Sequence, residues 1–227
     1  MKILLIEDDR EITEAISLTL QIFWPQTQLA ISHLGRKGVD LAGSEDFDII
    51  ILDLGLPDIS GFEVLQQIRS FSPVPVVILT VKGDEVDIVK GLEMGADDYI
   101  VKPCGRMELL ARLKVRMRDR TQAFEKPPVS LGSLCLDPIK RQLVHGDAAM
   151  KLTLTESYIM YYLMRNVGRV VTYTDLAMEV WGGDYPGCRQ SLRVHIRRLR
   201  EKIEEDPGNP RIILTNPGTG YTMTKPG

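Results

Sequence analysis

Four apolar runs in this chain end in residues that could do chemistry together. The run from Ile3 to Ile6 stops at three acids, Glu7, Asp8 and Asp9. The run 48–52 ends at Asp53, the run 74–79 at Thr80, and the run 99–101 at Lys102-Pro103. Clustered carboxylates repel one another and call for a cation, and hard oxygen ligands with room for water suit Mg²⁺. A hydroxyl and an ammonium at the same place suit an anion, a phosphoryl group above all. Any one of these acids could be a solvated loop residue. Four run ends that fit one chemistry are harder to assign to chance.

The elements that must bring them together are legible in the hydrophobic pattern. Strands are expected at 3–6, 29–31, 48–52, 74–79 and 99–101, three of them almost continuously apolar, as strands covered on both faces are. Helical spacing occupies 12–23, 36–42, 62–71, 86–94 and 107–117 between them. Alternation of this kind implies an α/β fold, a doubly wound five-stranded parallel sheet whose ligand site lies beyond the carboxyl ends of the strands. All four run ends then converge on one edge.

Composition sets the frame for the rest. With 44% hydrophobic and 26% charged residues in 227, the chain reads as soluble and globular, long enough for two ordinary domains. No run approaches the roughly 20 apolar residues of a membrane span, and the apolar start meets acids too soon for a signal peptide. Cys104, Cys135 and Cys188 are far apart and lack metal-ligand spacing, which fits a reducing interior, so the expected address is the cytoplasm with no membrane partner. Residues 1–120 carry 14 Lys and Arg against 20 Asp and Glu, whereas residues 121–227 carry 14 against 11. An acidic half followed by a basic half suggests two domains with different partners.

The segments KILLIEDD, DIIILDLGLPDISG, VVILT and GADDYIVKP resemble the receiver domains of two-component response regulators, over residues 1 to about 119. The resemblance implies a flavodoxin-like fold in which Asp53 is the phosphoacceptor, charged by a sensor histidine kinase. It implies Mg²⁺ held by Glu7, Asp8, Asp53 and the Gly55 carbonyl, with Glu7 acting mainly through a water. Thr80 and Lys102 would contact the phosphoryl oxygens, Tyr99 would be the switch aromatic, and Lys102-Pro103 would be cis. Three positions depart from the usual pattern: Cys104 stands for a phenylalanine, Val81 for a small residue, and Gly55 offers no side chain.

The second half carries a different signal. A linker is expected at 120–128, from a polar stretch with paired prolines, followed by a smaller α+β domain over 129–227. Helices are expected at 154–166, 173–180 and 190–205, then a hairpin with a Gly- and Pro-rich tip. Arg189 to Lys202 holds six basic residues against the single acid Glu201. On a helix, Leu192, Ile196, Leu199 and Ile203 form one stripe, and Gln190, Arg193, Val194, Arg197 and Glu201 lie opposite, with Ser191 and Arg198 at the edge. An arginine-rich helix face suits a DNA major groove, although a solvated helix would look much the same. KLTLTE, the segment Glu179 to Gly182, and RVHIRRLREKIEEDP resemble the winged-helix effector domains of the OmpR/PhoB class, over about 129–224.

That second resemblance implies DNA-facing roles for Gln190, Ser191, Arg193, Arg197 and Arg198, phosphate contacts from His195 and Thr215, and a loop-fixing role for Trp181. Pro217 replaces the usual wing-tip arginine, and Arg193 stands where an acidic or small residue is common. The class also implies a phosphorylation-dependent homodimer through the fourth helix, fifth strand and fifth helix, with Lys90–Glu108 and Asp98–Arg112 as cross-dimer pairs. The expected function is a transcriptional regulator, not an enzyme, with a sensor histidine kinase, double-stranded DNA and RNA polymerase as partners. The alternatives are a phosphorylation-independent DNA-binding regulator and an aspartyl-phosphate enzyme. The latter commonly needs an acid where Gly55 stands.

Overall fold

The computed structural model describes residues 1–81, 83–123, 126–183 and 187–226, with the side chains of 115–123 outside the description. The chain divides into two compact units, Met1–Met117 and Arg118–Gly227. Among the described residues, no helix is long and apolar enough to cross a membrane.

The first unit alternates β1 (Lys2–Ile6), α1 (Arg10–Phe23), β2 (Gln28–Ser32), α2 (Gly35–Ser44), β3 (Ile49–Leu52), α3 (Gly61–Phe71), β4 (Val76–Thr80), α4 (Glu85–Glu93), β5 (Asp98–Val101) and α5 (Arg106–Ala123). The strands form one parallel sheet in the order β2-β1-β3-β4-β5. β3 and β4 are buried along their whole length, because helices cover both faces. Ile16 and Leu20 of α1 and Leu109, Leu110 and Leu113 of α5 pack on Ile3, Leu5, Ile49, Ile51, Val77 and Leu79. On the other face Gly38 of α2 lies against Ile6, and Gly91 of α4 against Ile78. The order reverses at β1, so the crevice beyond β1 and β3 is the switch point, and Glu7 and Asp53 follow those two strands.

Local caps fix where the helices start. Asp9 caps α1 by accepting from the backbone N–H of Glu11 (2.8 Å) and Ile12 (3.2 Å). The residue before α2 is Leu34, which offers no side-chain cap, and Asp58 from the β3–α3 loop does that work. Its carboxylate accepts from Gly35 N (2.7 Å) and Arg36 N (2.9 Å). α5 runs to Ala123, past the expected end at 117, so the first residues of the segment read as a linker are helical. No Gly or Pro interrupts that stretch before Pro127.

The second unit begins with a four-stranded antiparallel sheet, β6 (Val129–Leu131), β7 (Leu134–Asp137), β8 (Gln142–His145) and β9 (Ala148–Lys151). Then come α6 (Leu154–Arg165), β10 (Val170–Thr172), α7 (Tyr173–Trp181), α8 (Cys188–Ile203), β11 (Ile213–Asn216) and β12 (Gly220–Met223). The last two strands form the wing hairpin, extended by β10 into a sheet of order β10-β12-β11. Capping boxes start α6 (Thr153 with Glu156) and α7 (Thr172 with Asp175), and Gly182 ends α7 in the left-handed conformation at φ 74°. α8 packs in a common core with α6, α7 and the hairpin. Its buried face is therefore wider than one apolar stripe.

A buried ion pair braces the first unit. Arg69 of α3 donates to Asp97 Oδ2 at 3.0 Å and to the carbonyls of Val74 (2.6 Å) and Gly95 (2.8 Å), tying α3 to the loops flanking β4 and β5. Arg69→Ala leaves Asp97 buried without this partner, so chemical denaturation should show the 1–117 unit destabilised by about 3–5 kcal/mol. The Asp58 cap has a pH signature. Burial would raise its pKa, but the N–H groups of Arg36 and Gly35 outweigh that and hold it below the ordinary carboxylate value. A depressed folded-state pKa stabilises above the unfolded value near ~4 and loses that contribution as pH falls through the folded value. The stability gap between wild type and Asp58→Ala should thus be widest at neutral pH and shrink in acid, as read from thermal melts across that range.

Candidate functional site

β1, β3, β4 and β5 deliver Glu7, Asp53, Thr80 and Lys102 to one edge of the sheet. Lys102 Nζ donates to Glu7 Oε2 at 2.6 Å and to Asp53 Oδ2 at 3.0 Å. The Lys102-Pro103 bond that precedes α5 is cis, as expected. Asp53 Oδ1 accepts from the backbone N–H of Leu54 (2.6 Å) and Gly55 (3.2 Å), and the buried Thr80 hydroxyl also bonds the Asp53 carboxylate. Burial pushes the Asp53 carboxyl up, yet the Thr80 and Lys102 bonds and the Lys102 charge bring it below its usual value. Burial prevails at Glu7, which is pushed up to about 7 despite the same lysine.

Glu7, Asp8 and Asp53 each place a carboxylate oxygen within 4.8 Å of the other two. Glu7 and Asp53 are buried and Asp8 is exposed, so the cluster has protein oxygens on one side and access for water on the other. That donor set fits a hard divalent cation that keeps part of its hydration, as Mg²⁺ does. Gly55 leaves the space beside the acceptor open, since a Cβ there would stand 3.7 Å from Asp53 Oδ2.

Tyr99 is buried, its ring in contact range of the position a Cβ on Gly91 would take. Burial raises its phenol pKa well above the ordinary value. Three neighbours of the pocket were not singled out in the sequence. Gly61 starts α3 so close to the acceptor that a Cβ would fall 2.2 Å from the Asp53 carbonyl oxygen. His33 Nδ1 lies 2.8 Å from the Glu7 carbonyl, and Asp58 caps α2 as described. Gly61 closes the DIIILDLGLPDISG segment, which is the signal that marks it.

In the second unit the exposed side of α8 is narrower than the helical wheel suggests. Arg193 and Arg197 are exposed and Gln190 half-buried, as expected of an outward face. Ser191 and His195 are not outward: they are 3% and 0% exposed. The His195 ring lies 6.3 Å from that of Trp181, itself buried. Val194 is buried too. α6 and α7 both pack on α8, so the flanks of the apolar stripe are covered as well as its centre. Ser191 and His195, expected at the DNA, thus belong to the buried side of α8 in this structure. Arg198 is half-buried, its Nε 3.1 Å from Glu156 Oε1 of α6. Thr215 is exposed on the wing and accepts from Arg200 at 2.8 Å. Arg189 was missed, and it continues the exposed row one turn before Arg193.

Charged residues of the expected cross-dimer face are also engaged within the chain. Arg112 is buried and donates to Asp98 (3.2 Å) and to Glu108 (2.7 Å) within one chain. The i,i+4 spacing of Glu108 and Arg112 on α5, with β5 alongside, makes this intrachain bridge the shorter route. Lys90 is exposed, with its ammonium 4.2 Å from the centre of the Phe62 ring.

Comparison with known proteins agrees with this geometry. Residues 3–114 match the response regulator receiver domain, and residues 147–223 match the C-terminal domain of transcriptional regulatory proteins. The chain is similar to the transcriptional regulatory protein KdpE of Mycobacterium tuberculosis, 37% identical over 221 residues that cover 96% of this chain and 97% of that one. Among solved structures it is similar to a mutant of RitR, with TM-score 0.77 and 26% identity over 99% of both chains. It is also similar to the response regulator DrrB, an OmpR/PhoB homologue of Thermotoga maritima, with TM-score 0.50 and 34% identity over 98% of both chains. A receiver followed by a winged-helix regulatory domain, in this order and over nearly the whole length of a curated relative, places the chain in the OmpR/PhoB family of response regulators.

Proposed function

We propose that Asp53 accepts a phosphoryl group from the phosphohistidine of a sensor kinase, and that this step controls DNA binding by the second unit. One observation carries the reading. An ionised carboxylate meets an ammonium at 3.0 Å, a buried hydroxyl, and two further acids within 4.8 Å, all at the switch point of a parallel sheet.

Asp53 stays anionic at neutral pH, so it can attack without a base. A carboxylate oxygen forms the new bond to phosphorus, the phosphorus–nitrogen bond of the phosphohistidine breaks, and its electron pair returns to the imidazole. Lys102 and Thr80 already touch Asp53, and both can follow the oxygens that arrive there. Glu7, Asp8 and Asp53, with the Gly55 carbonyl, would hold Mg²⁺, which supplies charge neutralisation on those oxygens. As Thr80 leaves the Asp53 carboxylate for the phosphoryl group, Tyr99 on the adjoining strand is the aromatic that would transmit the change.

The second unit supplies the output. Arg189, Arg193 and Arg197 form a basic row on α8, beside the wing that carries Thr215. Such a row suits phosphates and guanine edges in a major groove. Side-by-side binding of two copies at paired half-sites would raise occupancy through effective concentration. The α4-β5-α5 face that carries Lys90, Asp98, Glu108 and Arg112 would join the two copies, and Asp98 and Arg112, bridged within one chain here, would exchange partners to do so.

Incubation with Mg²⁺ and a small acyl-phosphate donor should add one base-labile phosphoryl group per chain. Asp53→Ala should abolish it, and Asp8→Ala should remove most labelling together with its metal dependence; undiminished labelling of Asp53→Ala rules the assignment out. On the output side, Arg197→Ala should weaken binding to all duplexes alike and lower the slope of log K against log salt by about 1, as loss of one phosphate contact does. Titrations at several salt concentrations measure that slope.

A further inference from the structure

The stretch that joins α5 to β6 carries a lysine held by three side chains of the second unit. α5 begins in the first unit and runs to Ala123, and β6 begins at Val129. Between them, the Lys126 ammonium lies 2.9 Å from Glu179 Oε1 of α7, 4.2 Å from the centre of the Tyr158 ring and 5.2 Å from that of Tyr161. Tyr158 and Tyr161 stand three residues apart on α6, so their rings share one face, and α7 packs beside α6. The Lys126 side chain is only 22% exposed, whereas Pro127 and Pro128 after it are exposed.

Two aromatic faces and one carboxylate around an ammonium make a cation-binding cradle, because ring quadrupoles and the negative charge attract the same atom. A lone ion pair at a surface holds little against water and salt. With the rings added, the contacts favour the held state about tenfold, enough to populate it and little enough to reverse it. The prolines extend the effect along the chain. A residue before proline is confined to extended backbone, and Pro127 and Pro128 have φ fixed by their rings. Holding the ammonium therefore holds 126–128 on the second unit and leaves residues 124 and 125 as the connection to α5.

We propose that Tyr158, Tyr161 and Glu179 form a docking site for the Lys126 ammonium, a latch that keeps the connection between α5 and the DNA-binding unit short. With the latch shut the connection is residues 124–125; with it open it is 124–128. The effective concentration of one tethered body at another falls roughly as the −3/2 power of tether length, so opening lowers it about fourfold. The latch thereby sets how much of a change in the first unit reaches the second. That consequence rests on the phosphorylation-controlled DNA binding proposed above, whereas the docking does not.

The test uses the full-length chain. Glu179→Gln and Tyr161→Leu, singly and together, open the latch without altering the connecting sequence, and Lys126→Arg keeps a cation that suits both the rings and the carboxylate. The first reading is the rate of chymotryptic cleavage after Phe124, followed by mass spectrometry, with melting curves to exclude general unfolding. The protease must draw Lys126 and Pro127 into its own cleft, so cleavage follows the open population. It should rise roughly threefold in each single variant and up to about tenfold in the double variant, and stay at the wild-type rate in Lys126→Arg. The second reading is the ratio of affinities for a duplex selected from a random pool, with and without a small acyl-phosphate donor and Mg²⁺. In the double variant that ratio should fall roughly fourfold. Equal cleavage of wild type and the opening variants means that no latch exists, and faster cleavage with an unchanged ratio means that the latch transmits nothing; either result overturns the proposal. A wild-type chain whose affinity ignores the donor removes the proposed function and the latch's role in it, while the cleavage rates decide the docking by themselves.

Discussion

The Lys102 ammonium is the contact on which the first unit depends. It stands between two buried carboxylates, 2.6 Å from Glu7 and 3.0 Å from Asp53, at an edge where Asp8 adds further negative charge. Without a cation in place those acids would repel one another, and one would have to take up a proton. The balance is uneven. Asp53, with Thr80 and two backbone N–H groups as additional donors, stays below the usual carboxylate range, whereas Glu7 is lifted to about 7 by its burial. The more strongly anionic of the two is thus the one with the donors suited to an attacking carboxylate.

The same physics recurs in the second unit with the signs exchanged. There one buried carboxylate, Glu156, is met by two cations from α8. The pair is weak grounds for stability, because taking charges out of water costs about as much as their attraction returns. Its effect is on geometry. Glu156 begins α6 through the capping box and ends at Arg198 and Lys202, so one side chain ties the start of one helix to the rotation of another. The arginines left facing outward are the remainder after such internal demands are met.

Most of the fold was legible before any coordinates. All five strands and all five helices of the first unit lie where the apolar runs and helical spacing put them, because parallel strands buried on both faces must be continuously apolar. The three later helices and the hairpin were legible for a similar reason, through repeat spacing and turn residues. Other features had no local signal. β10 is three residues long, and its place in a sheet depends on β12, some fifty residues later. α2 is capped by Asp58, 23 and 22 residues from the N–H groups it accepts, so no inspection of Leu34 and its neighbours could supply it.

The sequence by itself determined which chemical groups are available and at which strand ends they arrive, since strand direction and alternation follow from side-chain pattern. It therefore determined the pocket of Glu7, Asp8, Asp53, Thr80 and Lys102. It did not determine how polar residues on a helix divide between solvent and protein. A wheel drawn for α8 places Val194 on the outward side and Ser191 at its edge, but two helices and a hairpin surround α8 and bury both. Nor could it show that Arg112 would find Asp98 in its own chain, or that Arg198 would be held by Glu156. Each of those outcomes is a competition for one charged group among partners distant in sequence. Only the tertiary structure decides it, because the winner is the partner that packing brings within about 3 Å in a place where water cannot take its part.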